Sequence, residues 1–120
     1  MDYFYALGND AAITLAEHTA GSVEEFANLM NEKARELGLT DTHFVTPHGL
    51  DEENHYTTAY ELAKITDYAL GIRKFEEIVR TKSYTVNIDG NFKNISNTNE
   101  LLGSLNRSIW SKNRIYKWCK

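Results

Sequence analysis

Three groups of residues in the sequence are of types that do chemistry. His43, His48 and His55 fall within thirteen residues of one another, beside Asp51, Glu52 and Glu53, with His18 further upstream. Imidazoles and carboxylates clustered in this way could hold a divalent metal or move protons. Their spacing fits no zinc signature, however, and no metal is expected. The run "HFVTPHGL" reads instead as a loop framework, in which Pro47 and Gly49 fix a turn and His48 bonds to backbone. The only thiol, Cys119, has no histidine at an interpretable spacing, so neither thiol catalysis nor an internal disulfide is expected. The third group lies in "YALGNDAAITLAEH", residues 5–18, where Asn9 opens a helical pattern. By itself Asn9 reads as a helix N-terminal residue whose side chain satisfies free backbone N–H groups. Thr57 and Thr58 in "HYTTAYEL" are likewise first a helix cap.

The elements that must position these residues follow from periodicity. Asp10 to His18 reads as a short helix, with Ala12, Ile13, Leu15 and Ala16 apolar and Gly21 placed to end it in a left-handed cap. Ser22-Val-Glu-Glu25 is a capping box, and the helix it opens carries Val23, Phe26, Ala27, Met30, Ala34 and Leu37 on one face. Gly38 closes that helix. Residues 39–57 show no helical period and read as an ordered loop with one short extended piece. Thr58-Ala-Tyr-Glu61 is a second capping box, starting a helix that runs to Gly71. A shorter helix follows, with Phe75, Ile78 and Val79 expected inward. The period then drops to two around Asp89-Gly90, which predicts a β-hairpin at about 83–95. Beyond residue 105 the pattern is lost in a basic tail with two tryptophans.

The whole chain narrows the possible functions. Its 120 residues are one domain's worth, and 42% hydrophobic with 25% charged residues is the composition of a packed globular protein. The net charge of −4 is spread along the chain, so no nucleic-acid partner is expected. No apolar run is long enough for a membrane span, and Met1-Asp2-Tyr3 does not begin a signal peptide. Taken as it stands, the chain is expected to be cytoplasmic.

Three strings, in order and in register, carry a family resemblance. "GNDAAITLAEH", "FANLMNEKARELGLTDTHFVTPHGLDEENHYTTAYELAKI" and "NTNELLG" resemble the serine-type D-alanyl-D-alanine carboxypeptidases, the low-molecular-mass penicillin-binding proteins related to class A β-lactamases. The resemblance covers roughly residues 2–105. It implies a mainly α structure with one β-hairpin: the helical lobe of the β-lactamase/DD-peptidase fold, with most of the sheet missing. An apolar face where that sheet would pack is then expected, covered by a homodimer contact or by the tail. The resemblance also implies serine acyl transfer on D-Ala-D-Ala peptides or β-lactams, outside the cytoplasmic membrane, with no metal or cofactor.

The motifs that perform this chemistry in the family are mostly missing. Ser-x-x-Lys supplies nucleophile and base, yet each of Ser22, Ser83, Ser96, Ser104, Ser108 and Ser111 is followed three residues later by something other than lysine. The family places that motif well upstream of Gly-Asn-Asp, where few residues stand here. Ser-x-Asn is half kept: Leu7-Gly8-Asn9 retains the asparagine and lacks the hydroxyl. In a second alignment "DYFYAL" matches the preceding helix and the serine is deleted. Lys-Thr-Gly, which holds the substrate carboxylate in the family, is absent as well. The expectation is an inactive homologue, or a non-enzymatic remnant that binds a peptide or partner through the exposed apolar face.

The tail explains the last absence. Ile109 to Lys120, "IWSKNRIYKWCK", back-translates with AT-rich codons to a string that reads Tyr-Gly-Val-Lys-Thr-Gly-Phe-Thr-Asn-Gly-Ala when shifted by one base. The motif emerges where the family has it. Residues 1–105 are therefore expected to be family sequence, and 106–120 either out-of-frame translation after a single-base insertion near Asn106 or Arg107, or a non-family basic tail whose tryptophans meet a membrane or a partner.

Overall fold

In a computed structural model, residues 3–99 and Leu102 are described. Local sequence decides where most elements begin. Four helices, α1 (Tyr3–Ala20), α2 (Val23–Glu36), α3 (Ala59–Leu70) and α4 (Arg73–Arg80), precede strands β1 (Ser83–Ile88) and β2 (Asn91–Ser96). They divide between two compact units, Met1–Glu61 and Leu62–Lys120. The fold class is the one expected from the sequence, mainly α with one β-hairpin. The tail at 106–120 lies outside the described residues.

In the first unit α1 is longer than its sequence suggests. It runs unbroken through Gly8 and Asn9, where the periodicity predicts a start at Asp10. Neither residue removes a backbone donor, and a mid-helix glycine costs only about 1 kcal/mol relative to alanine. Asn9 therefore sits in a helix interior, and its expected role as an N-terminal residue is corrected. Gly21 ends the helix at a φ of 88°, its N–H donating to the Glu17 carbonyl over 2.8 Å. Helices α1 and α2 touch, and among the described residues their buried positions are alanines: Ala16, Ala27 and Ala34. Leu15, although apolar, is exposed.

Both ends of α2 follow from the sequence. Ser22 has an extended backbone, and its hydroxyl accepts the Glu25 N–H over 3.1 Å. At the other end Gly38 takes a φ of 72°, which lets its N–H reach the Arg35 carbonyl and the Leu39 N–H reach that of Ala34. This double bond pattern is a Schellman stop, and it delivers Leu39 into the core.

In the second unit α4 buries Val79 and half-buries Phe75, which lie one turn apart. Ile78 was expected inward and is 60% exposed, because the buried stripe follows residues 75 and 79 and passes it by. The hairpin forms as predicted and extends to Ser96. Strands β1 and β2 pair antiparallel from Ser83↔Ser96 to Ile88↔Asn91. Asp89 and Gly90 both have positive φ, 50° and 83°, as a type I′ turn requires. The hairpin's exit is secured by Asn97: its N–H donates to the Lys82 carbonyl, and its amide nitrogen donates to Val79 and Thr81.

Candidate functional site

Leu7 and Asn9, which the sequence places at the family's Ser-x-Asn position, both fall within α1. Asn9 is half-buried.

The chemistry-bearing residues that do converge are those of the 39–57 loop, and they bond to backbone. The extended piece is a single antiparallel bridge between His43 and Tyr56, closed by N–H donation in both directions at 2.8 and 3.0 Å. The His43 ring stacks on that of Tyr56. Its Nδ1 lies 2.6 Å from the Asn54 carbonyl, so that nitrogen carries a proton. His48 and His55 are arranged the opposite way. The Leu50 N–H donates to Nδ1 of His48 over 3.2 Å, and the Val45 N–H to Nδ1 of His55 over 2.8 Å. In both rings Nδ1 therefore serves as an acceptor of a backbone N–H. Burial holds the His55 pKa below the usual histidine value. The neighbouring His43 and His48 lower it further, while Asp51 and Glu52 pull weakly the other way.

The three imidazoles are thus committed through Nδ1 to loop structure, as the sequence indicated for His48. No group of three metal-capable side chains gathers among the described residues.

Two further residues hold this loop, and the sequence does not reveal either role. Asn31, on α2, uses its amide as a surrogate strand: Nδ2 donates to the Phe44 carbonyl over 2.8 Å and Oδ1 accepts the Phe44 N–H over 2.7 Å. Glu61 reads in the sequence as the far half of a capping box. The near half forms, with the Glu61 N–H donating to the Thr58 hydroxyl over 3.1 Å. The carboxylate, however, turns to the loop. It accepts the N–H groups of Thr40 (2.9 Å) and Asp41 (3.1 Å) and the hydroxyl of Thr42, which also bonds Thr57. Glu61 is only 6% exposed, so these donors replace the water its charge has lost. Backbone donors near 40–42 would have been the only clue, and they are invisible in a side-chain sequence.

What this arrangement does is hold backbone in place, and comparison with known proteins gives it a context. A family model described as D-alanyl-D-alanine carboxypeptidase matches residues 4–111. The chain is 48% identical over 75 residues to the D-alanyl-D-alanine carboxypeptidase DacF of Bacillus subtilis, covering 62% of this chain and 18% of that protein. It is 38% identical over 107 residues to DacC of Escherichia coli, covering 88% and 24%. Among solved structures, penicillin binding protein 5 of Haemophilus influenzae superposes with a TM-score of 0.71 at 35% identity, over 80% of this chain and 27% of that one. A mutant of the Streptomyces K15 DD-transpeptidase gives 0.73 at 33% identity, over 81% and 42%. The chain spans well under half the length of these relatives. No helix among the described residues is long and apolar enough to cross a membrane. Over the greater part of its sequence and in its helical architecture, the chain belongs to the D-alanyl-D-alanine carboxypeptidase family.

Proposed function

We propose that the chain is the helical-lobe portion of a serine-type D-alanyl-D-alanine carboxypeptidase, and that these 120 residues by themselves do not turn over substrate. One observation carries the second half: none of the six serines has a lysine three residues on. Acyl transfer at a D-Ala-D-Ala bond needs a hydroxyl with a base in reach, donors for the developing oxyanion and a cation for the terminal carboxylate. Position 7 offers leucine where the family's second serine stands, and Asn9 remains as the sole trace of that motif. A protein that supplied the missing groups would act on peptidoglycan stem peptides at the cell envelope. Incubation of the purified chain with a fluorescent penicillin, followed by denaturing electrophoresis, tests this: no covalent label is expected. A labelled band that survives denaturation overturns the proposal.

The out-of-frame origin of residues 106–120 belongs to the same proposal. Gene sequencing checks it, since removal of one base near the Asn106 or Arg107 codon should restore Lys-Thr-Gly. The family-model match runs to residue 111, a few positions past that point.

A second reading, a partner-binding remnant that dimerises through apolar surface, is favoured by exposure on the hairpin. Tyr84 and Phe92 are 67% and 76% exposed, and Ile95 lies directly opposite Tyr84. Sedimentation equilibrium distinguishes the two, because a monomer at all concentrations removes the dimer.

A further inference from the structure

We propose that His55 is a protonation-sensitive latch on the 43–56 loop, closed while its Nδ1 accepts the Val45 N–H and opened when that nitrogen takes a proton. The geometry makes the two states exclusive. The Val45 N–H lies 2.8 Å from Nδ1 and the Thr46 N–H lies 3.4 Å from it, so both donors converge on a single lone pair. A proton placed there would set N–H against N–H, and the bond must break. The ring is also wedged edge-on against Phe44, with centroids 5.8 Å apart, and the His55 N–H donates to the Glu52 carbonyl over 3.1 Å. An imidazolium therefore cannot turn within its site without disturbing residues on both sides of the loop.

The charged and titratable groups facing His55 come from two segments. His43 and His48 lie on the first limb, and Asp51 and Glu52 on the turn that follows. The first pair opposes a proton on His55 and the second pair attracts one. Burial sides with the first pair, so the fold prefers the neutral ring. The direction of the pH dependence follows. Loop stability is full above the ordinary histidine range, declines as the pH falls below it because the open state takes up the proton first, and levels off once the pH has passed the lowered value of the closed state. His43 provides an internal contrast. Its Nδ1 donates to the Asn54 carbonyl, so no backbone N–H depends on that nitrogen as an acceptor.

Amide exchange of the ¹⁵N-labelled full chain, expressed as protection relative to the unstructured rate, tests the latch from about pH 8 to about pH 5, across the histidine range. Val45 protection should fall by about tenfold on acidification, the equivalent of one lost hydrogen bond. The fall should track the titration of His55 read from its ring ¹⁵N shifts. In His55→Gln, whose amide oxygen can accept but does not titrate, the fall should vanish. Three results would each overturn the latch: a protonated Nδ1 on His55 at pH near 8, Val45 protection that stays flat while His55 titrates, or an undiminished fall in the glutamine variant. The first two need no variant, so they hold even if the glutamine protein folds poorly.

Discussion

The 39–57 loop and the 83–96 hairpin are two non-helical regions of similar size, built on opposite plans. The hairpin is held by its own ladder and by a two-residue turn whose φ values Asp89 and Gly90 supply. Its turn and ladder need no side chain from elsewhere; only its exit is tied back, by Asn97 to Val79 and Thr81, and much of the apolar surface, Tyr84, Phe92 and Ile95, stays in solvent. The loop has almost no ladder. It is held from outside by Asn31, thirteen residues from Phe44, and by Glu61, twenty-one residues from Thr40. A region of irregular backbone must find partners for its N–H and C=O groups somewhere, and here side chains provide them. Regular structure therefore tolerates surface change, whereas this loop depends on a few named polar groups.

That contrast can be broken most sharply at Glu61. Glu61→Ala removes a buried acceptor from the Thr40 and Asp41 N–H groups and from the Thr42 hydroxyl. A loss of about 3 kcal/mol is expected in urea unfolding followed by loop amide signals. Asn31→Ala, which removes two bonds to Phe44, should cost about 2 kcal/mol in the same measurement. On the hairpin, Gly90→Ala places a side chain at a φ of 83° and should cost about 1 kcal/mol, seen as weakened cross-strand NOEs between 83 and 96. The smallest effect is predicted for Tyr84→Thr, within about 0.5 kcal/mol, since that ring is two-thirds exposed and threonine suits a strand. If Tyr84→Thr unfolded the protein or Glu61→Ala left the loop unchanged, the contrast would be reversed.

The same contrast explains what was legible in the sequence. Ser22, Thr58, Gly38 and Asp89-Gly90 act on backbone within a few residues of themselves, so their elements appear at the expected places. Helix α1 was underestimated because Gly8 and Asn9 resemble punctuation but lack the steric or hydrogen-bond defect that stops a helix. Ile78 was misplaced because an eight-residue helix offers too few turns to fix which face is buried. In the loop, the histidines were legible as framework residues from the surrounding Pro47 and Gly49. Their protonation patterns were not, because each depends on which backbone group folding brings to Nδ1. The roles of Asn31, Glu61 and Asn97 required tertiary structure. Family membership was legible because whole strings persist, even where the groups that perform the reaction do not.

The first turn of a helix is ordinarily where it melts earliest, yet the first turn of α3 holds a residue whose side chain is committed elsewhere. Glu61 donates its amide to the Thr58 cap while its carboxylate grips residues 40–42. Unwinding that turn would swing the carboxylate away from three donors at once. Helix start and distant loop should thus behave as one cooperative unit, with the amides of both exchanging at a common rate.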